Sequence, residues 1–123
     1  MIGKICVSIT PFYDTIRNKK SFKKRPVLII AGPRSNDYTV LPISTITRKE
    51  NLDKKYDLEV NPSIYPMKKL TKLSYVRTHK QTTIHESEIV STISDLRGEY
   101  EDLYLEVLTK LSEFNHEIEE HAI

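Results

Sequence analysis

The chain has 123 residues, of which 38% are hydrophobic and 29% are charged. This composition supplies one hydrophobic core and too little apolar material for a second, so we expect a single domain over residues 1–123. The net charge of +2 is too small to identify a partner, and the single cysteine, Cys6, excludes an internal disulfide and any multi-cysteine zinc site.

The sequence shows no signal for export or membrane insertion. Lys4 interrupts the short apolar run at the N-terminus, which has no basic leader and no small-residue cleavage site. No stretch approaches the roughly 18 apolar residues of a membrane span. We therefore expect a cytoplasmic protein without a membrane partner.

Charge is distributed unevenly along the chain. No acidic residue occurs between Asp14 and Asp37, whereas the C-terminal region is rich in glutamate. The cations of the first segment are Arg17, Lys19, Lys20, Lys23, Lys24, Arg25 and Arg34. This asymmetry predicts one face that binds a polyanion and another that avoids it. The alternative is a charged loop that is only solvated.

The N-terminal half predicts three strands. Apolar and polar residues alternate over residues 2–9, which is typical of a strand. Residues 12–24 have no apolar period and predict a loop of about a dozen residues. Residues 26–30 are apolar in succession, as in a strand buried on both faces. Turn residues at 32–37 then lead into a strand at 38–44, which predicts a hairpin.

Further along the chain, shorter elements are predicted. Residues 47–55 and 61–72 predict loops on either side of a half-exposed strand at 56–60. Residues 73–76 and 82–84 predict two short strands or one bent strand.

The hydrophobic period changes to that of a helix near Glu99. Ser94 or Asp95 can cap its start, with Gly98 as a break between a short turn near Ile89 and the main helix. The apolar positions at spacings of three and four are Tyr100, Leu103, Tyr104, Val107, Leu108, Leu111 and Phe114. Short strands followed by one helix predict a mainly β fold, a small curled antiparallel sheet capped by a C-terminal helix.

The stretch SYVRTHKQTTIH carries the candidate chemistry. Arg77 and His79 are two residues apart and would point to the same side of a strand. A guanidinium beside an imidazole suits acid and base work on a phosphodiester. The alternative is a pair of exposed residues that form ion pairs with acids such as Glu86 or Glu88. His79 and His85 without nearby carboxylates are a weak metal signal, so we expect no metal site.

Three stretches in order resemble the MazF/PemK toxins, ribonucleases of bacterial type II toxin-antitoxin systems. They are KRPVLII, TVLPISTIT and LSYVRTHKQTTIHESEI, against family patterns G-x-RPVLV, V-x-P-[IV]-[TS]-S and S-x-[AV]-[RK]-x-D-Q-I-R-T-[IV]-D-K-x-R-L. The resemblance covers most of residues 3–95. It implies an SH3-like barrel of the CcdB/MazF type with a C-terminal helix, a homodimer, and a cognate antitoxin. It also implies an endoribonuclease, or mRNA interferase, that cleaves single-stranded RNA without metal or cofactor.

The resemblance also implies residue roles. Arg25 matches the arginine of RPVLV, which stabilises charge on the phosphate, and Ser44 matches the hydroxyl residue that holds a phosphate oxygen. Arg77 and His79 match the [RK]-x-D pair, assigned as acid and base. The ribose 2'-OH attacks the neighbouring phosphate and leaves a 2',3'-cyclic phosphate and a 5'-OH. The candidate RNA-binding residues are Lys19, Lys20, Lys23, Lys24, Thr45, Lys80 and Thr83.

Two departures from the family pattern leave alternatives open. His79 stands where aspartate is common, and an imidazole, with an ordinary pKa of about 6.5, is a competent base near neutral pH. Lys80 replaces a glutamine that could read a base. One alternative is a non-catalytic nucleic-acid-binding barrel of the same fold. Another is a CcdB-like toxin that poisons a protein, but those rely on a C-terminal tryptophan and this chain has no Trp.

Overall fold

In the computed structural model, which describes residues 1–123, seven strands form one curled antiparallel sheet and the chain ends in a helix. The strands are β1 (Lys4–Asp14), β2 (Lys19–Arg34), β3 (Asp37–Ser44), β4 (Asp57–Val60), β5 (Ser74–Arg77), β6 (Thr82–His85) and β7 (Ile89–Asp95). The helices are α1 (Leu96–Glu99) and α2 (Glu101–Ala122). The predicted mainly β fold with a C-terminal helix is confirmed.

The order of the strands places β2 and β3 at the centre of the sheet. It runs β4-β5-β3-β2-β1-β7, and β6 also pairs with β3. One end of β3 pairs with β5 through Ile43 and Ser44, and the other end pairs with β6. The end of β3 at Ser44 therefore lies between β2 and β5, where the candidate residues of three strands can meet.

At its central strands, β2 and β3, the sheet is covered by apolar side chains on both faces. Neighbouring residues of a strand point to opposite faces, so Leu28 belongs to one cluster, with Leu103 of α2, and Val27 to the other, with Ile84 of β6. Val27, Leu28 and Ile29 are all buried. The expectation of a strand buried on both faces is confirmed.

The loop predicted for residues 12–24 is wrong. These residues continue β1 and β2 as a long hairpin, with Pro11 opposite Phe22 and Tyr13 opposite Lys20, and only residues 15–18 form the turn. The hairpin extends beyond the core, and its residues bury no common apolar face that would give the sequence a period of two. Backbone pairing holds this ribbon, and its side chains are mostly exposed.

The turn expected near Ile89 is present, but it is followed by a strand, β7, that the sequence did not predict. A short 3-10 turn, Glu86–Glu88, precedes β7, which pairs with the edge of β1. β7 is rich in serine and threonine, so its sequence carries little hydrophobic signal. Asp95 caps α1 by accepting a hydrogen bond from the Gly98 backbone N–H at 3.2 Å, and the break before α2 falls at Tyr100.

A tyrosine anchors the C-terminal half of α2 to the sheet. The hydroxyl of Tyr56, just before β4, donates to the Glu117 carboxylate, and the Tyr56 ring meets Phe114 edge-on at a centroid distance of 5.0 Å. The hydrogen bond lowers the pKa of Glu117 below its ordinary value of 4.5 and raises the pKa of Tyr56 above 10.0. No helix of the protein is both long and apolar enough to cross a membrane.

Replacing Tyr56 by phenylalanine should make the protein less stable, with an effect that depends on pH. Because the folded pKa of Glu117 lies below the unfolded one, the hydrogen bond stabilises the fold above about pH 4.5, and the gain is lost as pH falls through the folded pKa. Urea midpoints of the two proteins should therefore converge between neutral pH and pH 3. A difference that stays constant over this range would show that the carboxylate is not involved.

Candidate functional site

Arg25, within β2, and Ser44, the last residue of β3, lie side by side where the pairing of these two strands ends. Val27 of β2 pairs with Pro42 of β3 in an antiparallel register, so moving two residues outward on each strand brings Arg25 and Ser44 to the same face. Pro26 restricts the backbone of the residue before it to extended conformations. An exposed guanidinium thus stands beside a hydroxyl.

The two residues line a polar depression of about 350 Å³ together with residues from β5 and the loops. Its predicted members are Arg25, Ser44, Thr45, Arg77 and Lys80, and the other lining residues are Ile46, Thr47 and Asn51. No carboxylate is among them. Three cations around hydroxyl groups form a site that favours a phosphate, because guanidinium groups bind phosphate oxygens through charge-assisted hydrogen bonds.

Arg77 is held in place by a buried carboxylate, Asp57. Its Nε donates to Asp57 Oδ1 at 3.0 Å and its Nη2 to Oδ2 at 3.3 Å, while Nη2 also donates to the Asn51 carbonyl at 3.0 Å. The Asp57 side chain is fully buried and that of Arg77 is 18% exposed. The backbone N–H of Asp53 also donates to Asp57, at 2.8 Å. The guanidinium is therefore fixed before any ligand arrives.

The acid that partners Arg77 is Asp57, neither Glu86 nor Glu88, which the sequence suggested. Asp57 lies directly opposite Arg77 in the pairing of β4 with β5. The sequence alone does not show which strands pair, so Asp57 could not be recognised as the partner of Arg77. The signal in the sequence is an acid at the start of one predicted strand and a cation at the end of the next, because these positions face each other when the two strands pair.

His79 lies beyond the end of β5, so the expectation that it shares a strand with Arg77 is wrong. Its ring lies beside the packed pair of Tyr56 and Phe114, with centroid distances of 6.2 and 6.1 Å. Its Nδ1 is 3.7 Å from Asp57 Oδ1 and has no hydrogen-bond partner. The two predicted catalytic residues thus converge on Asp57, but His79 is not among the residues that line the depression.

His85 is part of a different local structure. Its Nδ1 accepts a hydrogen bond from the Ser87 backbone N–H at 3.1 Å and caps the turn that follows β6. No three His, Cys, Asp or Glu side chains lie close enough together to hold a metal ion.

A second cavity, of about 480 Å³, adjoins the depression and shares Arg25 and Ser44 with it. Thr83, one of the predicted RNA-binding residues, lines this second cavity. The other lining residues are Ile9, Thr10, Pro11, Phe12, Pro26, Val27, Pro42, Ile43, Thr82, Ile84 and Glu88. Its lining is more apolar than that of the depression, so the two cavities differ in what they can hold.

The remaining predicted cations lie on the hairpin formed by β1 and β2. Lys19 and Lys20 are exposed next to its turn, and Lys23 places its Nζ 4.6 Å from the centroid of the Phe12 ring. Lys24 pairs with Ile9 and points to the opposite face of the ribbon from Arg25. Of the three consecutive cations Lys23, Lys24 and Arg25, only Arg25 lines the depression.

The sequence analysis also missed two lysines next to Ser44. Lys69 and Lys72, from the loop before β5, line a cavity of about 360 Å³ that contains Arg25 and Ser44 as well. The signal was the basic run MKKLTKL, which we read only as a loop. These lysines add positive charge beside Arg25 and Ser44.

A curled antiparallel sheet with a C-terminal helix, carrying a cationic depression where β2 meets the ends of β3 and β5, defines a small barrel of the MazF type. The family model described as PemK-like, MazF-like toxin of type II toxin-antitoxin system matches residues 7–114. The chain belongs to this family, which confirms the resemblance seen in its three motifs. Among curated proteins, none matches the chain.

Proposed function

We propose that this toxin is a sequence-specific, metal-independent endoribonuclease that cleaves single-stranded RNA. The observation that carries the proposal is the convergence of Arg25, Ser44 and Arg77 on one depression, in a chain that belongs to the PemK/MazF family. The scissile phosphate occupies this depression, and the ribose 2'-OH attacks it to give a 2',3'-cyclic phosphate and a free 5'-OH.

The depression supplies the electrostatic part of this chemistry. Negative charge builds up on the phosphate oxygens as the 2'-OH attacks, and fixed donors aimed at that charge lower the barrier. Arg25 and the preorganised Arg77 provide such donors, and the Ser44 hydroxyl holds a further oxygen. Lys80 and Thr45 bind the adjacent backbone.

Proton transfer remains assigned to His79 together with Arg77. An imidazole near neutral pH can take the proton of the 2'-OH. To do so, His79 must turn from its position beside Tyr56 and Phe114 toward the depression. Contact with the carboxylate keeps the ring close to Arg77.

The test is incubation of the purified protein with mixed-sequence RNA in excess chelator, followed by mapping of the new ends. Cuts at a recurring short sequence that leave 5'-OH and cyclic phosphate ends, and that disappear in a Ser44→Ala variant, would support the proposal. Intact RNA with retained binding would favour the second candidate, a non-catalytic nucleic-acid-binding barrel, to which the departures at His79 and Lys80 point.

The role of His79 predicts a dependence of cleavage on pH. Only a neutral imidazole can accept the proton, so if His79 is the base, the single-turnover rate should decline as the pH is lowered. A carboxylate base would remain active to about pH 4. A flat profile between pH 5 and 8 would remove His79 from the base role, and His79→Ala, measured in parallel, should lose activity at every pH.

The proposed RNA path continues along the hairpin that carries Lys19, Lys20 and Lys23. Each phosphate contact on a single strand contributes about 0.7 to the slope of log affinity against log salt. Lys20→Ala should therefore weaken RNA binding and reduce this slope by about 0.7, as measured by fluorescence anisotropy. Lys110→Ala on α2 is the matched control, and an equal effect of both variants would argue against a path along the hairpin.

We propose further that a cognate antitoxin controls the toxin and that both act in the cytoplasm. A disordered acidic segment of the antitoxin can occupy the same cationic surface and exclude RNA by competition. The toxin is proposed to act as a homodimer.

A further inference from the structure

The second cavity has the properties of a site for a flat apolar group attached to an anion. Its floor is formed by buried apolar residues, Val27 and Ile84 among them, and its volume of about 480 Å³ lies in the range of small-molecule sites. One end is Arg25 and Ser44, which it shares with the proposed phosphate site. A group that fills the cavity therefore lies next to the proposed phosphate site.

Glu88 is the one carboxylate among the residues that line this cavity. Glu88 precedes Ile89, which pairs with Ser8, and Ser8 pairs in turn with Arg25. The backbones of Ile89 and Arg25 are thus two strand spacings apart, about 10 Å, and Glu88 adjoins Ile89. A nucleoside with its phosphate spans a distance of that order.

Phe12 contributes an aromatic wall to the same cavity. Its ring is on the same face of the hairpin as Arg25, and the Lys23 ammonium lies 4.6 Å from the ring centroid. Proteins that read single-stranded RNA place splayed bases against aromatic or apolar surfaces and hydrogen-bond their edges. Phe12 provides an aromatic surface and Glu88 a hydrogen-bonding group, both next to the proposed phosphate site.

We propose that this cavity binds the nucleobase adjoining the scissile phosphate and that Glu88 selects a base with an amino group. A carboxylate only accepts hydrogen bonds, so it favours adenine, cytosine or guanine, whose amino groups donate. Uracil has carbonyl oxygens at its exocyclic positions, which would face the carboxylate oxygens, and its single donor on that edge is the ring N3–H between them. The inference rests on the proposed ribonuclease function and names the part of the protein that chooses the cleavage sequence.

Glu88 also has a local structural role, which determines the choice of variant. One of its oxygens, Oε1, accepts a hydrogen bond from the His85 backbone N–H at 3.3 Å and completes the capping box of the turn. Glutamine serves equally in a capping box. Glu88→Gln therefore keeps the turn while adding a donor to an acceptor-only side chain, and a change in base preference would not follow from loss of the cap.

The experiment is cleavage of a randomised RNA pool by the wild type and by Glu88→Gln, with sequencing of the bases on both sides of each cut. The wild type should disfavour uracil at one position next to the cut. In Glu88→Gln, uracil at that position should rise about tenfold relative to the amino-bearing bases, since one hydrogen bond to a charged group is replaced. Glu86→Gln, exposed in the same turn, is the matched control and should keep the wild-type preference.

A binding measurement separates this inference from the cleavage reaction. Adenosine, cytidine and uridine 5'-monophosphates are titrated into the labelled protein while the amide signals of Thr83 and Ile84 are followed. Adenosine or cytidine monophosphate should shift these signals at lower concentration than uridine monophosphate, and Glu88→Gln should abolish the difference. RNA left uncut with this preference intact would contradict only the ribonuclease proposal. Equal responses to all three nucleotides, or an unchanged preference in the pool, would overturn the base site.

Discussion

Replacing Arg25 by alanine is expected to lower the single-turnover rate of RNA cleavage by about 100-fold or more, because one fixed donor to the developing charge on the phosphate is removed. Arg25 is exposed, so no buried contact depends on its guanidinium. The free energy of unfolding should therefore change by no more than about 0.5 kcal/mol. Cleavage kinetics and chemical denaturation of the same preparation measure the two quantities.

Two further variants separate charge from geometry at this position. Arg34→Ala removes an exposed arginine from the last position of the same strand, β2, and should cleave at the wild-type rate. Arg25→Lys keeps the charge but loses the planar fork that binds two oxygens, so it should recover only part of the activity. Wild-type cleavage by Arg25→Ala would exclude Arg25 from the chemistry.

The elements that bury apolar side chains could be predicted from the sequence. The consecutive apolar residues of β2 gave a doubly buried strand because both faces of the sheet are covered there. The three- and four-residue spacing at Leu103 and Val107 gave α2 because one stripe of the helix packs on the sheet. In these segments, burial imposes the period that the sequence displays.

The elements that bury little could not be predicted. The outer hairpin extends away from both clusters, and β7 adds polar residues to an exposed edge, so hydrogen-bonded backbone alone makes them strands. The prediction of a loop at residues 12–24 failed because it treated missing periodicity as missing structure. The cations of this segment lie on a paired β-ribbon, where successive side chains point to opposite faces, so only alternate cations can face the same RNA strand.

The residues of the candidate site also divide into those that the sequence could predict and one that it could not. Motif positions identified Arg25, Ser44 and Arg77, which the fold brings into one depression. Asp57 could not be identified, because its role depends on β4 lying beside β5. It places a carboxylate against both Arg77 and His79, although the position that commonly holds aspartate in the family motif is occupied by histidine. In this chain a neighbouring strand supplies the acid.

Arg77→Ala is expected to reduce both cleavage, by about 100-fold or more, and stability, by about 3–5 kcal/mol. The loss of stability follows because the variant leaves the fully buried Asp57 carboxylate without its partner. The double variant Asp57→Asn/Arg77→Met removes both charges and keeps an acceptor for the Asp53 N–H. It should recover most of the lost stability, because replacing both members of a buried pair is often neutral.

Comparing the two proteins distinguishes a chemical role of Arg77 from a structural one. If the guanidinium acts on the phosphate, the double variant should be as stable as the wild type within about 1 kcal/mol and should still not cleave RNA. Recovery of cleavage together with stability would assign Arg77 to the fold alone. An unfolding free energy of Arg77→Ala equal to that of the wild type would contradict the buried ion pair, and with it the view that Asp57 fixes the guanidinium in advance of RNA binding.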